Sequence, residues 1–345
     1  MHRRTLLTAG VAAPAAAATG LLLGSPADAR PVARSTLARG LSFPWGIDFL
    51  PNGDGLVTER NSGRVLRVRR TGGYSVVGTV PGAYNAGGEG GLLGLALSPR
   101  FPSDRWVYLF LTTRVDNRII RVRYRGGRLG RRDVVLSGIP RALNHNGGGL
   151  LFTGGRRPSL YVTTGDTRRP QLAQNRRSLA GKILRLKPDG SAQDGNPFGS
   201  RIFSYGHRNP EGITFGDDGR LWASELGENT WDELNRIRSG RDYGWARVEG
   251  ADGRGGYTDP FTQWHPANCS PSGVAVLKGR AWIGALRGES LWSVDIAGVN
   301  RRRRVRHFEG RFGRIRMVRR APDDSLWVGT SNGVGRDRII RVTVT

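Results

Sequence analysis

The chain has 345 residues, 37% of them hydrophobic, with 52 glycines and a formal net charge of +26. This length and apolar content suit one large folded domain or two small ones, and so many glycines exclude a mainly helical chain. The charge is almost wholly arginine, scattered along the chain and without a helix-turn-helix, zinc-finger or RNA-binding signature, so no specific nucleic-acid partner is expected.

Residues 1–29 read as an export signal. His2-Arg3-Arg4 is a charged start, an Ala/Leu-rich stretch follows, and Ala27-Asp-Ala29 is a cleavage motif before Arg30. The paired arginines with Thr5-Leu6-Leu7 suit the twin-arginine route. The apolar stretch is too short and too rich in small residues for a good membrane anchor, so no transmembrane segment is expected in the mature chain. An exported, soluble protein in the extracellular or periplasmic space is the expectation. Its basic surface would attract acidic envelope polymers without specificity.

From residue 30 to 345 two patterns recur six times. One is a short strand of alternating apolar and basic residues, taken as the terminal strand of each unit: Gly63-Arg-Val-Leu-Arg-Val, Arg118-Ile-Ile-Arg-Val, Gly181-Lys-Ile-Leu-Arg-Leu, Asp232-Glu-Leu-Asn-Arg-Ile, Glu289-Ser-Leu-Trp-Ser-Val and Asp337-Arg-Ile-Ile-Arg-Val. Upstream of each lies an apolar strand, a turn and a second strand, as in Pro210-Glu-Gly-Ile-Thr-Phe followed by Arg220-Leu-Trp-Ala-Ser-Glu. A period of roughly fifty to sixty residues in all-strand units is the signature of a propeller. The expected fold is therefore all-β, a six-bladed β-propeller of four-stranded antiparallel blades, in one domain. Arg34 to Leu41 is expected to close the ring against the last blade. Loops between first and second strands are expected to bring Asn144-His145, Arg208-Asn209 and Arg314-Ile-Arg316 to the central channel.

Candidate chemistry follows in chain order. Glu89 lies in a glycine-rich rim segment, Gly88-Glu-Gly-Gly-Leu-Leu-Gly. His145 stands in Leu143-Asn-His-Asn-Gly-Gly-Gly, where glycines allow close backbone approach, and Asp166 closes the same unit. A loop histidine is more often a surface residue, but one steered by a carboxylate can act as a general base near neutral pH. Tyr205–Trp245 concentrates Arg208, Asn209 and an acidic non-helical run, Gly227 to Glu233. Its carbonyls and carboxylates could converge on a hard cation such as calcium, or form a solvated acidic loop. The single cysteine, Cys269, has no partner for an internal disulfide and reads as a small buried residue. Arg208, Arg287, Arg314 and Arg316 open or close three repeats; turned inward, their guanidinium forks would grip a polyanionic small ligand, and turned outward they are solvated surface.

Together, Gly88-Glu-Gly-Gly-Leu-Leu-Gly, His145-Asn-Gly-Gly, Thr164-Gly-Asp and Gly206-His-Arg-Asn-Pro-Glu-Gly resemble motifs of the soluble aldose sugar dehydrogenases dependent on pyrroloquinoline quinone (PQQ). Ser224-Glu-Leu-Gly, Asp232-Glu-Leu-Asn, Tyr243-Gly-Trp, Leu286-Arg-Gly and Gly313-Arg-Ile-Arg extend the resemblance over roughly residues 40–343. It implies an exported oxidoreductase with PQQ and calcium as cofactors, a sugar substrate and an external electron acceptor. It further implies His145 as the base, oriented by Asp166; Arg208 and Asn209 at the quinone oxygens; and Arg287, Arg314 and Arg316 at the cofactor's carboxylates. Carbonyls of Gly227 and Glu228 would hold one calcium, Glu233 and the Tyr243 carbonyl a second, and Glu89 would face the substrate.

The chain departs from the best-studied glucose-oxidising members at several positions. Glu89 stands where an amide is expected, Asn144 and Met317 where acids are expected, and Arg287 where a lysine is expected. The inter-blade loops are also short, so the pocket is expected to be open and the sugar to differ from glucose. Two other readings suit the fold: a cofactor-free propeller acting as a binding module, and a calcium-dependent lactonase-type propeller with carboxylates and asparagines on its axis.

Overall fold

Side chains alternate between the two faces of a strand, and many strands here carry apolar residues on both. In Arg64–Val68, Val65 packs with the second repeat unit and Leu66 with the sixth. Ile119 and Ile120 divide between neighbours in the same way, as do Ile339 and Ile340. A sheet apolar on both faces must be covered on both. In a ring of such sheets, each one covers the next.

The computed structural model describes residues 29–253 and 255–345. It is a six-bladed β-propeller, each blade a four-stranded antiparallel sheet. The apolar side chains gather into six clusters, one at each junction between neighbouring blades. Helix is confined, among the described residues, to Phe101–Asp104, Gln171–Gln174 and a 3₁₀ turn at Pro266–Asn268. None is long and apolar enough to cross a membrane. The expected export signal lies outside the described residues except for Ala29, which is buried beside blades five and six.

The ring closes as expected, and slightly earlier: Pro31–Leu41 pairs antiparallel with Asp337–Val344 to become the outer strand of blade six. One expectation is corrected. The alternating apolar and basic strands are not terminal but third in each blade, and a fourth strand lies outside them, such as Tyr74–Thr79 or Thr262–Trp264. The outer strands are exposed and irregular, which hides their repeat.

The innermost strands share a feature that sets the channel. Gly46, Gly94, Gly149, Gly212 and Gly273 occupy matching places in blades one to five, and Met317 takes that place in blade six. A Cβ at Gly94 would lie 2.0 Å from Gly148 O, and one at Gly212 would lie 2.2 Å from Ser272 O. The inner backbones of neighbouring blades therefore touch one another around the axis. Lined by all six innermost strands, the channel keeps a cavity of only about 60 Å³. Nothing sizeable passes through it, so a small-molecule site on the axis belongs on an end face.

Many arginines have local work. Arg121 and Arg123 flank Trp106 at 4.5 and 3.9 Å from its ring. Arg301 and Arg302, from the tight basic run, stand over Phe261 of the neighbouring blade at 5.0 and 5.4 Å. Such stacking is favourable for a planar cation, and it commits part of the basic surface. Cys269 is fully buried, as expected, and burial pushes its thiol pKa up.

Candidate functional site

Antiparallel order puts the segment entering an innermost strand on the same end of the ring as the segment leaving the second strand. Glu89, His145, Arg208, Asn209 and Arg314 precede innermost strands, while Asp166, Gly227, Glu228 and Arg287 follow second strands. All nine therefore share one end face. This corrects the expected placement, since loops between first and second strands, such as 216–220, lie on the opposite face.

His145 is held from three sides. Its φ of 58° is in the left-handed region, and its carbonyl sits where a Cβ on Gly165 would come within 2.1 Å, so that position needs glycine. Its backbone N–H donates to Glu89 Oε2 at 2.7 Å. Its ring Nδ1 lies 2.8 Å from Asp166 Oδ1. A carboxylate only accepts, so Nδ1 carries the proton and Nε2 is left as an acceptor. Asp166 is fully buried and has no freedom of its own: Oδ1 also accepts from Arg168 N at 2.8 Å, and Oδ2 accepts from Trp245 Nε1 at 2.7 Å. The His145 side chain is 12% exposed, and Nε2 has no partner among the described residues.

His207, one repeat further along the chain, shows the contrast. It is completely buried, with Nδ1 2.9 Å from Glu225 Oε2 and Nε2 2.9 Å from Ser204 Oγ. Both of its nitrogens are occupied. Of these two histidines, only His145 offers a free nitrogen at the mouth of the ring.

Arg208 and Asn209 interlock with the histidine loop. Arg208 O accepts from Asp166 N at 2.7 Å, and Asn209 Oδ1 accepts from Gly147 N at 3.0 Å. Arg208 donates its backbone N–H to Glu225 Oε1 and, through Nη1, a 3.2 Å bond to Leu226 O; its guanidinium stands 5.5 Å from the Trp245 ring. Among the described residues Arg208 Nε and Asn209 Nδ2 are buried without a partner. Buried donors are ordinarily satisfied, and leaving one unmet costs about 1–3 kcal/mol. Two such donors beside one free imidazole nitrogen mark a place shaped for an acceptor-bearing ligand.

The arginines expected as carboxylate clamps divide. Arg287 and Arg314 are exposed on the end face, and burial of its surroundings together with the Arg316 charge holds the Arg314 pKa below its ordinary value. Arg316 is different. It is buried on the axis, with Nη1 2.5 Å from Glu211 Oε2 and 3.3 Å from Ser272 Oγ, and its Nε is buried without a partner among the described residues. Burial raises the Glu211 pKa and Arg316 opposes that shift. Arg316 thus forms part of the floor with Glu211 and Ser272.

Sequence reasoning did not single out Arg60, Glu211 or Trp245 as site residues. Arg60 follows the second strand of blade one, and burial with the nearby charges of Arg316 and Arg314 brings its pKa down to about 10, against the pull of Glu211 and Glu89. Glu211 and Trp245 sit inside motifs already noted, and those motifs were the available signal. Trp245→Phe removes the indole donor to Asp166 while keeping an aromatic ring near Arg208. The expected result is a roughly tenfold lower kcat with KM little changed, from steady-state kinetics, because one hydrogen bond of about 1–1.5 kcal/mol to the orienting carboxylate is lost.

The expected calcium ligands are placed as follows. Among the described residues no three His, Cys, Asp or Glu side chains form a metal-binding group. A calcium at Gly227 and Glu228 would therefore rest largely on carbonyls, which suits a hard cation. The backbone N–H groups of Glu228, Asn229, Thr230 and Trp231 all point to Glu249 Oε1, at 2.6, 3.0, 3.0 and 3.1 Å. Glu233 is buried, accepts from Asn235 Nδ2 at 2.8 Å and Gly250 N at 2.9 Å, and has no basic side chain paired with it. Burial and the Glu225 charge push its pKa up to about 8, an environment a bound cation would relieve. The Tyr243 ring stacks on His207 at 4.6 Å, and its hydroxyl donates to Arg236 O at 2.6 Å.

Comparison with known proteins gives a consistent picture. The family model described as Glucose / Sorbosone dehydrogenase matches residues 41–341. "Aldose sugar dehydrogenase YliI" of Escherichia coli is 29% identical, over 86% of this chain and 89% of that protein. "Quinoprotein glucose dehydrogenase B" of Acinetobacter calcoaceticus is 32% identical over 65% of this chain and 54% of that protein. Among solved structures, the PQQ-bound aldose sugar dehydrogenase from Streptomyces coelicolor superposes with a TM-score of 0.88 at 43% identity, covering 93% of this chain and all of that one.

Proposed function

Given that the chain belongs to the Glucose / Sorbosone dehydrogenase family, we propose that it is an exported quinoprotein that oxidises the CH–OH group of aldose sugars or related alcohols. The observation that carries this reading is the free Nε2 of His145, backed by Asp166, beside the unpartnered donors of Arg208 and Asn209. When bound, PQQ supplies the two-electron acceptor that amino-acid side chains lack. Arg208 Nε and Asn209 Nδ2 are donors suited to its quinone oxygens. Arg287, Arg314 and the Nε of Arg316 are suited to its carboxylates.

In this reading His145 Nε2 takes the proton of the substrate hydroxyl while the C–H hydrogen would leave as hydride to the two-electron acceptor that bound PQQ would supply, and the imidazolium that forms is stabilised by Asp166. The Nδ1–Asp166 bond keeps the ring from turning, and Trp245 keeps the carboxylate from turning. Arg208 would hold a fixed cation toward the quinone oxygens, one that needs no reorganisation to stabilise negative charge there. Glu89, already holding the His145 backbone, places a carboxylate at the substrate rim and favours sugars that present hydroxyl donors there. Calcium is assigned to the carbonyls of Gly227 and Glu228 and, at a second position, to Glu233 and the Tyr243 carbonyl. The export assignment rests on the motif in residues 1–29, and an external acceptor completes the cycle.

A lactonase-type propeller would place carboxylates and asparagines around a metal on the axis. The axis here carries Glu211 already paired with Arg316, which suits that reading poorly. The proposal is tested by titrating the pure protein with PQQ and calcium in a calorimeter, then following dye reduction over a panel of aldoses. Saturable PQQ binding with aldose-dependent dye reduction is expected. An absence of PQQ binding would leave the binding-module reading in its place.

A further inference from the structure

Glu249 belongs to none of the motifs above, yet one of its oxygens gathers the N–H groups of four consecutive residues, Glu228 to Trp231. The loop is exposed from Glu228 to Thr230, so water could have satisfied those donors. They turn inward to a single carboxylate instead. In a planar trans peptide the C=O points opposite to the following N–H. Drawing in the N–H groups of residues 228–231 therefore turns the carbonyls of Gly227, Glu228, Asn229 and Thr230 away from Glu249.

Three further contacts fix the arrangement. Gly227 N donates to Asp232 Oδ1 at 2.9 Å, and a Cβ on Gly227 would lie 1.9 Å from Trp231 O, so the loop closes tightly on itself. The residue after Glu249, Gly250, donates its N–H to Glu233 Oε1. The pair 249–250 thus fastens both groups assigned to calcium, the 227–228 carbonyls by a side chain and Glu233 by a backbone amide. Finally, Leu226, at the start of the loop, accepts from Arg208 Nη1.

We propose that Glu249 is a positioning residue, an internal anion that sets the carbonyls of Gly227 and Glu228 for a divalent cation and steadies Arg208 through Leu226. This rests on the calcium assignment made above. Residues that orient metal ligands without touching the metal typically contribute tenfold to a hundredfold in affinity.

The test uses the full mature chain freed of cations, titrated with calcium in a calorimeter, together with hydrogen exchange at the amides of 228–231. Glu249→Ala is expected to weaken calcium binding about tenfold to a hundredfold and to speed exchange at those four amides. Glu249→Gln keeps one accepting oxygen, so it is expected to fall between Ala and the parent, and it serves if Glu249→Ala does not fold. Asp116→Asn is the control. Asp116 is a buried loop anchor in blade two that accepts from Gly138 N at 2.7 Å, so its loss is expected to lower melting temperature and leave calcium affinity unchanged. Unchanged calcium affinity or unchanged exchange in both Glu249 variants overturns the proposal. A parent protein that binds no calcium overturns the calcium assignment itself, a different result.

Discussion

His145→Ala is expected to lower kcat by about a thousandfold, within the range of general-base catalysis, while the affinity for PQQ stays within a factor of about two to three. The separation follows from where the side chain sits. The ring touches Asp166 and offers Nε2 outward, whereas the donors assigned to the cofactor, Arg208 Nε and Asn209 Nδ2, belong to another loop. The fold loses little, since the loop stays pinned by His145 N to Glu89 and by Thr167 N to His145 O at 3.2 Å. Single-turnover kinetics with PQQ titrated by fluorescence reads both quantities. Turnover that survives the substitution would place the base elsewhere.

Arg316→Leu is expected to show first as a loss of stability. The guanidinium and the Glu211 carboxylate are both nearly inaccessible, with side chains 6% and 4% exposed, and they meet at 2.5 Å. Removing one member leaves the other as an uncompensated buried charge, a loss of about 3–5 kcal/mol. Replacing both, as Arg316→Leu with Glu211→Leu, should recover most of that loss, because apolar groups of similar volume often substitute for a buried pair without cost. Thermal melting of the single and double variants, without cofactor, reads the pair directly. A single variant as stable as the parent would mean that the pair contributes nothing to the floor of the channel. Arg314, exposed beside it, lacks this burden. Arg314→Ala is therefore the cleaner probe of carboxylate binding.

The difference between those two arginines could not be read from the chain. Arg314 and Arg316 are two apart in one motif, and nothing local distinguishes them. The partner of Arg316 comes from blade four and Ser272 from blade five, so only the packing of successive blades around the axis brings the three together. The same limit hid Trp245, whose acceptor Asp166 is 79 positions away, and Glu249, which sits in an unremarkable loop. What could be read was whatever repeats. Six copies of one strand pattern, five of them with an apolar pair facing both neighbours, dictate the propeller, and glycines packed around a histidine or an arginine mark loops that approach one another closely. Even the repeat misled at Lys182. It occupies a basic slot of the alternating pattern, which suggests a solvent-facing side chain, yet it is fully buried and donates to the carbonyls of Leu172, Ala173 and Ala180 at 2.6–2.9 Å. The pattern records charge type, whereas burial depends on the short segment 171–180 folded over it.

The closing strand has a practical meaning for how the molecule can be handled. Asp337 begins its strand at the end that bears the site, so Val344 finishes at the far end, where Arg30 and Thr345 exchange backbone hydrogen bonds of 3.2 and 3.1 Å. The described chain therefore begins and ends on the underside of the ring. A tether, a fusion partner or an electrode linked through Thr345 leaves the candidate site facing open solution.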